Sequence, residues 1–335
     1  MLEKALKQKS NRSLISSDGS MILNLAGKVS LLKVMELEIS KIYEFSELKN
    51  PSYGTFSSDL SMIAYKNTAG KIAVHDVKSG DLKFKHNAVK YEGNMLYFVN
   101  NNKKILSSTW ACEIFTIDIS NGDTTKLIIG DGEYFDAPII PGLLNNEFFV
   151  CCSERHIYGG NLHVYKSKLY KLYLTESDMH YEPICELPQC DGISPVKLQN
   201  SLFFSSRKNA SSSSSVIYIY DMEKNVYNEY LDIHKIYSLI SGEESRDVLR
   251  VKHISGSANE IYLFLVIESL SEIYSPTDTI MIIERKSKKC IKILKHNFIS
   301  NVLLFNEDKH LWVGTWERVY IYDFQSLVNE QDKEV

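Results

Sequence analysis

The sequence predicts an all-β chain of repeated four-stranded units, and three observations predict it. The first is internal repetition. Residues 305–323, FNEDKHLWVGTWERVYIYD, lie over residues 99–118, VNNNKKILSSTWACEIFTID; Thr315 and Trp316 match Thr109 and Trp110, with one residue inserted afterward. The second is a strand ending that recurs as KIAVHDVKSGDL (71–82), EIFTIDISNGDT (113–124), SVIYIYDMEKNV (215–226) and RVYIYDFQS (318–326), and in weaker form as TIMIIERKSKKC (279–290). Alternating apolar residues, an acidic or polar stop, a short turn with Gly, Asn or Lys and a further strand make a hairpin signature. The third is the pair of shorter strands upstream of each such ending, as in YGTFSSDLSMIAYKNTAGKIAVHDVKSGDLKFK (53–85). Repeated four-stranded sheets that must hide their edges predict a single closed β-propeller.

The turn-and-strand segments also carry a family resemblance. SSDGSMILNLAGKVSLLKV (16–34) and FSSDLSMIAYKNTAGKIAVHDVKSGD (56–81) resemble bacterial WD-repeat and YVTN-type propeller blades, with their turn, strand, turn, IxVxDxxSG rhythm. HLWVGTWERVYIYDF (310–324) resembles the LWVGT strand of regulator-type propellers. The resemblance implies the fold and, from the WD-repeat side, scaffold or adaptor duty. It implies no shared activity.

Taken in order, the strand patterns place blades at about 14–45, 53–86, 94–130, 134–188, 194–233, 247–296 and 298–324. Seven blades is the expected count; six and eight stay open, because blades 3 and 6 have irregular inner strands. The seventh blade ends in its third strand, and the segment from Leu2 to Lys9, within residues 1–10, is expected to supply its outer strand. Joining the two termini in one blade removes the last free edge. One short helix is expected in LDIHKIYSLISGEESRDV (231–248), where Ile233, Ile236, Tyr237 and Ile240 follow a 3.6-residue spacing. The serine run 211–215 sits between two strands of one blade and is too short for a domain boundary.

Composition narrows the function classes. With 44% hydrophobic and 24% charged residues the chain has the balance of a globular protein. A net charge of -4, with Lys and Arg spread along the chain, gives no overall basic field for nucleic acid, and none is expected as a partner. No stretch is long and apolar enough to insert in a membrane, and the N-terminal MLEKALKQKSNRSL carries charges where a signal peptide needs an apolar core. The six cysteines lack CxxC spacing; Cys151 and Cys152, adjacent in an apolar run, read as small buried hydrophobes on opposite faces of a strand. A reducing, cytoplasmic setting is expected.

No catalytic, cofactor or metal motif emerges. GDGEYFD (130–136) lacks the glycine spacing of a phosphate loop and the remaining ligands of a calcium loop. No GxSxG elbow and no HExxH pair is present, and the nine histidines are dispersed. An enzyme is disfavoured. Paired acids brought together from separate blades stay open, since spacing cannot test their distance.

The unequal lengths of the connections from second to third strand stand out. Blades 1, 2, 3 and 7 have short ones, LAGKVS, KNTAGKI, STWACE and GTWERV. Blades 4, 5 and 6 have CSERHIYGGNLHVYKSK (152–168), SRKNASSSSSV (206–216) and IESLSEIYSPTDT (267–279), and the incoming connection 234–246 opens on the same side. These are expected to be long loops, the place where a rigid scaffold carries binding residues. Arg155, His156, Tyr158, Tyr134 and Tyr274 offer groups common at recognition hot spots, and Trp110 and Trp316 sit at matched turns. The competing readings are tolerated insertions for the loops and packing between blades for each Trp. The favoured expectation is a non-catalytic module that binds a protein or peptide through the loops of blades 4–6. The rival is a propeller that binds or hydrolyses a small polar ligand at its channel mouth.

Overall fold

The computed structural model describes residues 2–35, 38–87, 92–93, 95–130, 138–158, 161–187, 196–207, 215–241, 249–269 and 277–329. Strand β1 (Leu2–Leu6) comes first. Blade 1 follows with β2 (Arg12–Ile15), β3 (Met21–Leu25), β4 (Val29–Met35) and β5 (Glu38–Phe45), and blade 2 with β6 (Pro51–Phe56), β7 (Met62–Asn67), β8 (Ile72–Asp76) and β9 (Leu82–His86). Blade 3 holds β10 (Leu96–Val99), β11 (Lys104–Ser108), β12 (Glu113–Asp118) and β13 (Thr124–Ile128). Blade 4 holds β14 (Ile139–Pro141), β15 (Glu147–Tyr158), β16 (Asn161–Leu174) and β17 (Met179–Leu187). Blade 5 holds β18 (Val196–Leu198), β19 (Ser201–Arg207), β20 (Ser215–Asp221) and β21 (Val226–Asp232), followed by helix α1 (Ile233–Ser241). Blade 6 holds β22 (Leu249–Gly256), β23 (Tyr262–Ser269), β24 (Thr277–Glu284) and β25 (Lys289–Asn297). Blade 7 holds β26 (Ile299–Phe305), β27 (His310–Thr315) and β28 (Val319–Asp323), and helix α2 (Phe324–Asn329) ends the described chain.

Each of the first six blades is a simple antiparallel meander, and the seventh is ordered β1-β28-β27-β26. The N-terminal strand therefore completes the last blade, as the sequence predicts, with Leu2 opposite Tyr322 and Leu6 opposite Val319. By contacts the chain divides into Arg12–Leu187, which carries blades 1–4, and Met1–Asn11 with Pro188–Val335, which carry blades 5–7.

Within each unit the core lies between successive sheets. In the first, Leu23, Leu31 and Tyr65 pack between blades 1 and 2; in the second, Phe264, Ile282 and Val313 pack between blades 6 and 7. A middle strand of a blade is covered on both faces, so it reads as a continuous apolar run. In β24 the run TDTIMIIE has six consecutive buried residues. Outer strands are half exposed, and β5, EISKIYEF, mixes charge with apolar residues accordingly. Each fully buried Leu, Ile or Phe contributes roughly 1.5–3 kcal/mol.

The turns follow a second repeat. Where inner and second strands join in blades 1, 2 and 6, a serine hydroxyl (Ser16, Ser57, Ser257) bonds the side-chain oxygen two residues on (Asp18, Asp59, Asn259). The same hydroxyl accepts the N–H of Met21, Met62 or Tyr262, at 2.8–2.9 Å. The hydroxyl of Ser57 and the N–H of Ser61 hold the Asp59 carboxyl down to about 2. Blades 3 and 7 use another turn, three successive left-handed residues: Asn100, Asn101 and Asn102, and Asn306, Glu307 and Asp308. The third residue reaches back to the preceding blade. Asn102 Oδ1 accepts the N–H of Ser58, and the Asp308 carboxylate accepts those of Ala258 and Asn259 at 3.0 and 2.8 Å.

The acid that closes a third strand is a cap. Asp76, Asp118 and Asp221 accept backbone N–H groups two or three residues on, and the chain reverses through a left-handed Gly80, Gly122 or Asn225. After β28 the next described element is α2 in place of an outer strand, and the equivalent Asp323 accepts the N–H of Ser326 and caps it. Helix α2, which the sequence reading did not foresee, buries Phe324 and Leu327, with Phe324 edge-on to Tyr262.

Candidate interaction surfaces

The connection at 152–168 is the first correction. It is not a loop: β15 and β16 stay paired from Glu147↔Tyr173 out to Tyr158↔Asn161. The inner strand β14 pairs only with Phe148–Val150, and the outer strand β17 stops at Ser167↔Leu187. Beyond the buried pair Ser153 and Ser167, whose hydroxyl oxygens are 3.2 Å apart, the two strands run on as a two-stranded ribbon. Arg155, His156 and Tyr158 are on this ribbon, opposite Val164, His163 and Asn161, past a bulge at Glu154 and Arg155. A Gly-Gly pair flanked by β-forming residues is the hairpin signal in that stretch of sequence. Tyr134, Tyr274, Cys190 and most of the connections 206–216 and 267–279 lie outside the described residues. The incoming connection begins as α1, the expected helix, capped by Asp232, which accepts the N–H groups of His234 and Lys235.

The two matched tryptophans share one turn. Thr109 Oγ1 accepts the N–H of Ala111, and Thr315 Oγ1 accepts those of Glu317 and Arg318, which turns the intervening Trp outward. Trp110 is 37% exposed and Trp316 57%. Trp316 stacks on Phe298, with ring centroids 5.1 Å apart and planes 3° from parallel. Phe298 sits between blades 6 and 7, and its carbonyl accepts the Trp316 N–H. The sequence reading overlooked Phe298, which no motif marks. The stack joins the connection ahead of β26 to the β27–β28 turn and leaves an open aromatic surface.

Close by in blade 6, Lys252 bonds Asp278 at 2.9 Å, and Arg250 and Lys252 flank Glu268 at 3.6 and 3.9 Å. Burial pushes the Asp278 carboxyl up, opposed by Lys252 and the N–H of Ile299. In the first unit, an amide-rich groove of about 630 Å³ lies against the Asn100–Asn102 turn. Its polar groups already join blades: Asn100 Nδ2 donates to Thr175 O, and Lys104 Nζ to Glu176 O. Among the described residues, no three His, Cys, Asp or Glu side chains come together as a metal-ligand set. No disulfide joins two of the five described cysteines, of which Cys112, Cys151 and Cys152 are buried.

Seven four-stranded antiparallel sheets, the last completed by the N-terminal strand, make the fold a seven-bladed β-propeller. A solved structure with this fold is the β-propeller domain of Cps50 (Swd1) from Myceliophteria thermophila; it is 10% identical, spans 96% of this chain and 99% of that one, and superposes with a TM-score of 0.68. No family model and no curated protein matches the sequence. At that identity the likeness shows the fold alone. No helix among the described residues is long and apolar enough to cross a membrane.

Proposed function

We propose that this propeller is a non-catalytic scaffold that binds a protein or peptide through the connections between second and third strands of blades 4, 5 and 6. The observation that carries the reading is the β15–β16 ribbon. Each surplus backbone pair beyond the blade costs ordering entropy and adds little to the interblade core, so a contact outside the blade is its natural use. The exposed Trp316–Phe298 stack supports the same reading, since large flat aromatics dominate recognition energetics. A reducing, cytoplasmic setting, which the irregular cysteine spacing suggests, is part of the same proposal. The YVTN-type part of the sequence resemblance rests on turn rhythm and adds no activity to it.

The test is affinity capture from the native host with a matched control. Replacing Arg155, His156 and Tyr158 together by Ala is expected to weaken capture by more than about tenfold with Tm nearly unchanged. Replacing Lys78, Ser79 and Asp81, in the turn from third to outer strand of blade 2, is expected to leave capture intact. The reverse result sinks the reading.

A further inference from the structure

Between blades 5 and 6 lies a cleft of about 620 Å³, separate from the connections above. Phe203, Ile219 and Tyr230 form its apolar part, with Phe203 edge-on to Tyr230 at 5.1 Å, and Ile261, 46% exposed, adds an apolar side chain at its edge. The walls are held in place. Arg285 lies over the Phe203 ring, donates to the Glu260 carbonyl at 2.7 Å and sits 3.6 Å from the Glu260 carboxylate, while the Tyr230 hydroxyl donates to the Arg285 carbonyl at 2.6 Å. The Glu260 charge is thus already matched by Arg285.

The lining itself is balanced, Glu260 and Glu284 against Arg285 and Lys286, and Lys288 over the Tyr230 ring makes the surplus beside the cleft positive. From Glu284 to Asn297 the sequence ERKSKKCIKILKHN carries six Lys or Arg and one acid, a local run that the chain's net charge of -4 conceals. Lysines on the free edge strand β25, such as Lys289 and Lys295, guard that edge against pairing with another chain. Lys286 and Lys288 have a different place: both are exposed in the turn before β25. Lys286 lines the cleft and makes no ion pair among the described residues, and the Lys288 ammonium lies 4.8 Å from the Tyr230 ring centroid. Edge protection does not account for a cation at the mouth of an apolar cleft.

We propose that this cleft is a second docking site and that its occupant is an acidic peptide segment carrying one apolar side chain. The apolar residue fills the space against Ile219, Tyr230 and Ile261, and flanking carboxylates pair with Lys286 and Lys288. Charge complementarity selects the occupant: a basic segment would meet like charge, and an uncharged one would leave the Lys286 ammonium unused. The site does not depend on the function proposed for blades 4–6.

The experiment pans a displayed library of random peptides against the full-length protein, then measures the recovered peptide by fluorescence anisotropy. The expected consensus is one Leu, Ile or Phe flanked by Asp or Glu. Expected too is a loss of affinity of about tenfold or more in Lys286→Glu/Lys288→Glu and in Ile261→Asp, all at exposed positions, with circular dichroism and Tm retained. The variant at Arg155, His156 and Tyr158 should bind this peptide normally, which separates the two sites. A basic or absent consensus overturns the proposal. So does equal binding by the variants, an apolar-to-Ala peptide that binds as well as its parent, or tighter binding of a single-stranded oligonucleotide, which would mark a polyanion surface.

Discussion

The Lys66 ammonium, with no exposed surface, lies 2.8 Å from the carbonyl oxygen of Ser108 on the neighbouring blade. Its other partner is the Ser107 hydroxyl, at 2.9 Å. Burial pulls the amine down to about 7 against a partial opposing pull from Glu92. Gly93, with φ +61, makes this close packing possible, because a Cβ there would fall 2.0 Å from the Ser108 carbonyl.

Stability should therefore rise with pH on the alkaline side of neutrality. In the unfolded chain the amine keeps its ordinary value of 10.5, so between about 7 and that value the unfolded state binds the extra proton. Raising the pH through this window favours the folded state, by up to about 1.4 kcal/mol per pH unit for one proton. Below about 7 both states are protonated and this group adds no slope. Urea unfolding at a series of pH values should show the rise, and Lys66→Met should flatten it; an unchanged slope in the variant refutes the assignment.

Removing residues 1–10 should lower Tm by several degrees or more, because it strips β1 from β28 and bares an edge. Gly314→Ala should act in the same blade without truncation, since its Cβ would meet Asn301 Oδ1 at 2.2 Å and Ser10 Oγ at 2.8 Å. Melting curves with size-exclusion chromatography check both. A truncated chain that stays monomeric and melts like the full one contradicts this account of closure.

Asp308→Ala should cost about 1–3 kcal/mol, because Asp308 is buried and its loss leaves two N–H groups of blade 6 without their acceptor. Asn102→Ala should cost less, since the Ser58 N–H that it serves is exposed and water can replace it. Chemical denaturation of the two variants under one set of conditions gives the comparison, and equal costs would deny the difference in burial its role.

Cys112, Cys151 and Cys152 should react slowly with a thiol reagent until denaturant is added, because they are buried. Cys290 should join them, its thiol pushed up to about 11 by burial. A native disulfide found by mass spectrometry would overturn this and the reducing compartment with it.

Fold was legible where backbone chemistry dictates side-chain choice. The acids at 76, 118 and 221 announce their turns because few residues cap a reversing chain as well, and the overlay of 305–323 on 99–118 marks two blades that share the left-handed triple turn. The surfaces were less legible. Phe298 meets Trp316 only because one connection and one turn converge in space, and the cleft beside Lys286 draws Phe203 and Arg285 from different blades. The ribbon at 152–168 departs from the expected loop for a local reason: the sequence on either side of Gly159 and Gly160 is rich in β-forming residues, which favour strand pairing.

The pairing of β1 with β28 also sets a timetable. β1 is made before blades 1–6 and its partner β28 after them, so β1 stays unpaired while those six blades are synthesised. Local meanders can form as they emerge, but this pairing spans blades 1–6 and carries the largest loop entropy among the described strand pairs. A nascent chain stalled before β28 would display β1 without its partner, an unmatched strand recognisable to quality control as unfinished.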